Sequence, residues 1–463
     1  MNAIAQRENV RTLAATIGIG EDQAAELLDV SAAVTHDPED YVAAECAKHV
    51  LALLGRTLRN VQPSTTISNR LVAVEVVIGA ARPRFNCPHV FVHGMEEEFI
   101  VNSQPAGKCC GKIHRVGILL GACYATAAAV KVALGDVWPF IVPSVIRVRL
   151  SDLLGADVPL LYEPVTIEDT YLAGAGAVGN GFVYALGQFD AGGNLNVADD
   201  DTVGDGNLQR CLLFEEVHLN QPKAEVLSAA ASEILPKLRA IPRNMRIQDL
   251  PERKGGPWLK RLVVGVDSPR ARRSLQSEFP GEVLDASTTG ISEVVLHFHK
   301  QPTTGACLGC VYPHTPQEDA HENHVAEALG VTLSDVREFR ISPSAAEKIC
   351  QRYPRLNASQ LVGSAYDSLF KVLCSTQSLK TSDDRQVLAP FAFVSVLAGT
   401  LLAIEFVRRI HRGHEGLFNE WRVSPWSNIV LRRRRILPKN PKCEFCNDPV
   451  LVDVIRQMWP RKI

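Results

Sequence analysis

The stretch TYLAGAGAVGN, residues 170–180, restricts the fold more than any other part of the chain. A short apolar run predicts a buried strand, and a helix start follows the glycines. Gly174, Gly176 and Gly179 let the backbone turn sharply and approach a phosphate, which the helix N-terminus then faces. LNVADDD predicts the next strand and sets Asp199 twenty positions after Gly179. That is where a dinucleotide-binding unit carries its ribose carboxylate. RLVVGVD (261–267) and EVVLHFH (293–299) predict two more buried strands, with helical stretches between them. Strands alternating with helices imply a doubly wound α/β sheet. Glycine triplets also arise in structural turns, and at this point a dinucleotide dehydrogenase and an ATP-using enzyme fit equally.

A chain of 463 residues predicts two or three domains. Residues 20–60 read as helical; RLVAVEVVIGA and HVFVHG read as strands. An apolar, small-residue helix is expected over Ile113–Leu134, and a Pro-containing boundary over 135–165. This predicts an N-terminal domain over 1–160 and a second domain over 161–463. Leu388–Ile410 resembles the Ile113–Leu134 helix in composition, a hint of internal repetition. Val387–Ile404 carries no charge and is long enough to be weighed as a membrane span. Its Ser395, Gly399 and Thr400 suit a helix packed inside a protein, and no membrane partner is expected.

A formal net charge of −2 argues against a generic nucleic-acid binder. Arg432–Arg435 accordingly reads as a strand edge or a docking surface. The first residues lack the long apolar core of a secretory signal, so a cytoplasmic location and reduced cysteines are expected.

Charge around the glycine turn separates the two nucleotide readings. Asp199, Asp200 and Asp201 are followed by Asn207-Leu208-Gln209-Arg210 and then Lys223. An Arg and a Lys beside a phosphate loop suit a triphosphate better than a nicotinamide pyrophosphate. VVGVDSPRARRSLQ ends a strand in Asp267, where a magnesium ligand would sit. Arg270 and Arg273 read as surface or helix-capping charges, whereas Arg272 is open to either role.

These motifs, in this order, resemble the ThiF/MoeB/ubiquitin-activating-enzyme superfamily: GAGAVGN, DDDTV, NLQR, Lys223, DSPRARR and two C-x-x-C pairs. The resemblance implies a Rossmann-like adenylation domain with a mainly parallel sheet. It also implies that ATP·Mg²⁺ adenylates the C-terminal carboxylate of a small protein or peptide. Gly174, Gly176 and Gly179 would form the phosphate loop. Asp199 would hold the ribose, with Asp201 beside it in the nucleotide site. Asn207, Arg210 and Lys223 would contact the phosphates, and Asp267 would hold Mg²⁺. Family members usually have Gln directly after the Arg, where this chain has Cys211. Members pair two adenylation-type halves, so residues 1–160 read either as a degenerate half or as an unrelated recognition domain.

Cys307-x-x-Cys310 and Cys443-x-x-Cys446 are two knuckles whose four thiolates suit a closed tetrahedral zinc. The long interval between them makes spacing alone moderately specific; the resemblance strengthens it. His314, His321 and His324 have the wrong spacing for a helical zinc site. Ubiquitin-activating members also carry the small protein as a thioester. Cys374 lies in the interval where the family places that nucleophile, within a region of about 311–386, and Cys350 is the rival. The implied partners are a ubiquitin-like protein, through its C-terminal tail, and a separate conjugating-type enzyme; a homodimer is compatible. Bacterial ubiquitin-like conjugation linked to phage defence is the setting this resemblance brings with it. An adenylyltransferase without a thioester step, and an inactive scaffold that binds a ubiquitin-like tail, are the competing readings.

Overall fold

The computed structural model describes residues 3–460 except 68–70, 106, 110, 254–255, 339, 365, 367–368, 371–372, 374–388, 415–416 and 430–432. Two compact units result: residues 1–312 with 388–463, and residues 313–387.

The first unit holds two sheets. β1 (Ser31–His36), β2 (Asn60–Pro63), β3 (Val72–Ile78), β4 (His89–Met95), β5 (Glu98–Asn102) and β6 (Val145–Arg149) line up in the order β2-β1-β3-β4-β5-β6. The second sheet contains β7 (Val165–Ala173), β8 (Ala191–Ala198), β9 (Leu238–Arg243), β10 (Arg261–Val264), β11 (Glu282–Thr289), β12 (Glu293–Lys300), β13 (Glu420–Val423) and β14 (Arg434–Arg435). Its order is β9-β8-β7-β10-β11-β12-β13-β14.

The two sheets follow one course. With β9 and β14 set aside, the first strand of each sheet pairs in parallel with the second and the third, and the third pairs in parallel with the fourth. The following two pairings are antiparallel in both. Helix Tyr41–Gly55 links β1 to β2 as Ala177–Leu186 links β7 to β8. Helix Arg115–Leu134 precedes β6 as Ala392–Arg412 precedes β13. β9 and β14 are additions at the edges of the second sheet.

Two strands depart from the sequence-based expectation. β1 lies inside the stretch read as helical, because SAAVTH is short and buried on both faces and so shows no alternation. β11 lies where helix was expected. Its first five residues are all buried, so no alternation shows, and a charge, Asp285, interrupts the apolar run because it is buried against Arg272.

Helix Ala392–Arg412 packs face to face on Ala177–Leu186. The contact is backbone on backbone: a Cβ on Gly399 would stand 2.2 Å from the Gly181 carbonyl carbon. This close approach explains the small residues that made 387–404 resemble a membrane span. At its end Glu405 is fully buried, 3.3 Å from both Arg408 and Arg409. Among the described residues, the helix long and apolar enough to cross a membrane by length and composition is 115–137, whose most apolar window is 83% buried. Its helix lies against β3, β4, β5 and helix Tyr41–Gly55.

The second unit is helical. Pro316–Leu329, Leu333–Arg337, Pro343–Arg352 and Ala358–Leu361 enclose Val325, Leu329, Ile341, Ile349, Tyr366 and Phe370.

Candidate nucleotide and zinc sites

β7 ends at Ala173, and Gly174 turns the chain at φ 95°. A Cβ there would meet the Gly265–Val266 peptide at 2.9 Å, and one on Gly179 would meet the Gly174 oxygen at 2.1 Å. These two glycines let strand, turn and helix close up. Gly176 differs, because a Cβ built on it meets nothing within 4 Å. It is also the N-cap of Ala177–Leu186 and gives that helix no side-chain cap. The turn therefore offers open space beside uncapped N–H groups, which fits a phosphate.

Asp199 follows β8 and faces this turn. Its Oδ2 accepts the Ala175 N–H at 2.7 Å and its Oδ1 the Asp201 N–H at 2.9 Å. Burial raises its pKa, with Lys223 acting against that. Lys223, at the start of helix Lys223–Ile234, is buried and donates from Nζ to Asp201 at 2.9 Å. Burial works against its charge, but Asp199 and Asp201 outweigh it and raise its pKa. A cation and two carboxylates thus stand together beside the glycine turn.

Asn207 and Arg210 lie on and just after the short helix Asp205–Leu208. Both fold onto their own turn. Asn207 Oδ1 accepts the Gly204 N–H at 2.9 Å, and Arg210 donates to the Gly206 carbonyl at 2.7 Å. Sequence reasoning missed the two clamps on the chain that follows. Asn180 Oδ1 accepts the Leu213 N–H at 2.8 Å. Arg56, from the N-terminal half, donates to the carbonyls of Leu208 and, at 3.1 Å, Phe214. Gln209 is fully buried with neither amide atom partnered among the described residues. Cys211 is fully buried, and burial pushes its thiol up to about 11.

Asp267 is exposed just past β10, at the same edge as the glycine turn. Behind it, Arg272 is buried, pairs with Asp285 and donates to the Val266 carbonyl. Tyr312 Oη donates to the other Asp285 oxygen at 2.6 Å. Arg272 is thus a strut under the strand end.

The two C-x-x-C pairs meet. Sγ atoms lie 3.8 Å apart for Cys307–Cys310, 3.6 Å for Cys307–Cys443 and Cys310–Cys446, and 3.3 Å for Cys307–Cys446. Thiolates on a tetrahedral zinc, each about 2.3 Å from the ion, stand about 3.8 Å apart. The four-sulfur donor set and these separations fit zinc.

The model of the ThiF family matches residues 167–445, and that of the E1 N-terminal domain matches residues 1–150. The chain belongs to the ThiF family. These are E1-like adenylation enzymes. The uncharacterized protein y4jF of Sinorhizobium fredii is 26% identical over 391 residues, 77% of this chain and 72% of that one. Human ubiquitin-like modifier-activating enzyme 7 is 36% identical over 130 residues, 26% of this chain and 13% of that protein. Among solved structures, E. coli MccB with ATP is similar at 17% identity and a TM-score of 0.37, over 62% of this chain and 68% of that one.

Other expected residues of this ThiF-family chain fall elsewhere. Cys374 lies outside the described residues. Cys350 sits half-buried on helix Pro343–Arg352, with Sγ 3.4 Å from the Leu356 carbonyl. His314 pairs with Asp319 at 2.8 Å, while the His321 and His324 rings both stand edge-on to Phe370. Of the arginine run, Arg432 lies outside the described residues, and Arg433 pairs with Glu293 at 3.2 Å. Arg434 is not a solvated edge residue. It stacks 3.9 Å from the Trp421 ring centre, and burial lowers its pKa to about 10.

Proposed function

We propose that this chain uses ATP to adenylate the C-terminal carboxylate of a ubiquitin-like protein, then carries that protein as a thioester on Cys374. The observation behind the reading is a contrast between the halves. At the second sheet the helix after the first strand starts at Gly176, uncapped and open, with Asp199 and Lys223 beside it. At the first sheet the equivalent helix starts at Asp40, whose own carboxylate accepts the N–H groups of Ala43 and Cys109. An internal carboxylate there takes the place an external phosphate takes in the second half. The second half is thus the one suited to nucleotide, and residues 1–160 are its degenerate relative.

In the adenylation step the substrate carboxylate attacks the α-phosphorus of ATP, and pyrophosphate leaves. Charge on the phosphates is met by the helix N–H groups, Lys223 and Arg210, the last after releasing the Gly206 carbonyl. Asp199 holds the ribose hydroxyls. Asp267, exposed at the strand end, would hold Mg²⁺, which offsets phosphate charge when bound. In the second step the Cys374 thiolate attacks the acyl carbon and AMP leaves. A separate conjugating-type enzyme takes the thioester from there. Zinc on Cys307, Cys310, Cys443 and Cys446 joins two chain segments and has no chemical role. A setting in bacterial antiviral conjugation is part of the same proposal.

Incubation with ATP, Mg²⁺ and a ubiquitin-like protein ending in a free glycine carboxylate tests both steps. A hydroxamate at that carboxylate after hydroxylamine trapping is expected, with a reductant-sensitive adduct that Cys374→Ala removes. An adduct that persists in Cys374→Ala moves the nucleophile elsewhere, Cys350 first. A hydroxamate with no adduct leaves adenylation alone.

A further inference from the structure

The N-terminal sheet holds a second group of metal-ligating side chains, far in sequence from the four cysteines. Glu75 on β3, Cys87 in the crossover and His89 at the start of β4 place a carboxylate oxygen, a thiol sulfur and a ring nitrogen within 4.8 Å of one another. We propose that these three side chains hold a divalent ion of the zinc class, with water as the fourth ligand.

The donor set comes first. One sulfur, one imidazole nitrogen and one carboxylate oxygen form a borderline-soft mixed set that suits Zn²⁺ and disfavours Mg²⁺ or Ca²⁺. Separation agrees. His89 Nε2 stands 3.3 Å from Glu75 Oε2. That is long for an N–H···O bond. It equals the edge between two ligands on a tetrahedral zinc, which is about 3.3 to 3.6 Å for bonds of about 2.0 to 2.2 Å.

Burial and charge add a reason. Glu75 is fully buried, and its ionic partner is a histidine. A buried carboxylate is costly unless paired and hydrogen-bonded. Hydrogen bonds are already supplied: Arg84 and Phe85 donate their N–H groups at 3.0 to 3.1 Å, and Thr35 donates its hydroxyl at 2.5 Å. These bonds orient the carboxylate as hydrogen-bond donors behind a metal ligand do. His89 and Cys87 are half-buried, so water reaches the open side.

The fold supplies a use for the ion. Residues 79–88 connect two parallel strands without a helix, whereas the equivalent crossover of the second sheet carries helix Pro269–Gln276. An irregular crossover needs fixed points. Glu75 provides one through the Arg84 and Phe85 N–H groups, and the ion adds Cys87 and His89. Binding requires the His89 ring to give up the Phe85 carbonyl, now 3.1 Å from Nε2.

The full chain, dialysed against buffered Zn²⁺ and analysed for bound metal, tests the site. Cys87→Ser and His89→Gln should each bind one zinc fewer than the unaltered chain, with an unchanged circular dichroism spectrum. Zn²⁺ should also protect Cys87 from alkylation in the native chain. Equal zinc content in all three proteins would overturn the proposal, whatever the state of the four-cysteine site. So would Cys87 alkylation that is indifferent to Zn²⁺.

Discussion

Asp199 and Ala175 are joined by a 2.7 Å hydrogen bond, so the carboxylate proposed to hold a ribose also fixes the glycine turn proposed to face the phosphates. Its other oxygen holds the Asp201 N–H, which in turn sets the partner of Lys223. Asp199→Ala removes both acceptors at once. Charged hydrogen bonds contribute about 1.5 to 3 kcal/mol each. Affinity for a non-hydrolysable ATP analogue, measured by titration calorimetry, should fall by about 100-fold or more, with the fold retained. Because burial raises the Asp199 pKa, that affinity should also weaken as pH falls through the raised value.

Arg56 reaches from the N-terminal half to the carbonyls of Leu208 and Phe214, on either side of Gln209 and Arg210. Arg56→Ala leaves those carbonyls without this donor. Loss of about 1 to 3 kcal/mol in urea unfolding is expected, together with slower adenylation. Arg56→Lys should recover part of the stability and little of the rate, because an ammonium cannot fork across two carbonyls.

Glu282, on β11, gives the chain an acid-sensitive joint. Burial pushes its pKa up, but the His414 hydrogen bond and Arg261 outweigh it and hold it at about 2. The ordinary glutamate value is about 4.5, so the folded state releases this proton more readily than the unfolded chain. The stabilisation is complete above about pH 4.5 and is lost as pH falls toward 2, an amount on the order of 3 kcal/mol. Glu282→Gln should be less stable than the unaltered chain at pH 7, with the gap closing at acid pH. Unfolding midpoints across that range check this.

Zinc should be present at the four cysteines after purification under reducing conditions. Cys443→Ser leaves three sulfurs and should release that metal. Protease cleavage after residue 436 should then accelerate, because Cys443 and Cys446 join helix Pro449–Met458 to the rest of the unit.

Much of this was legible in the sequence. The glycine turn, Asp199 and the paired knuckles are local patterns whose residue types carry their own geometry, and the structure brings each set together. Other features were not legible. β1 is too short and too evenly buried to show a period. β11 hides behind Asp285, a charge that makes sense only once Arg272 and Tyr312 are beside it. Arg56 lies more than 150 residues from the carbonyls it holds, and nothing in its local sequence signals a partner. The common course of the two sheets showed in the sequence only as the echo between the 113–134 and 388–410 helices, because topology persists when glycines and acidic residues have been replaced.

Adenylation itself is measured most directly by ATP–pyrophosphate exchange with labelled pyrophosphate. Exchange is expected that requires both the chain and a ubiquitin-like protein with a free C-terminal glycine carboxylate, and that Asp267→Ala abolishes. Absence of exchange with every such carrier, or exchange that survives Asp267→Ala, would contradict the activity proposed for this site.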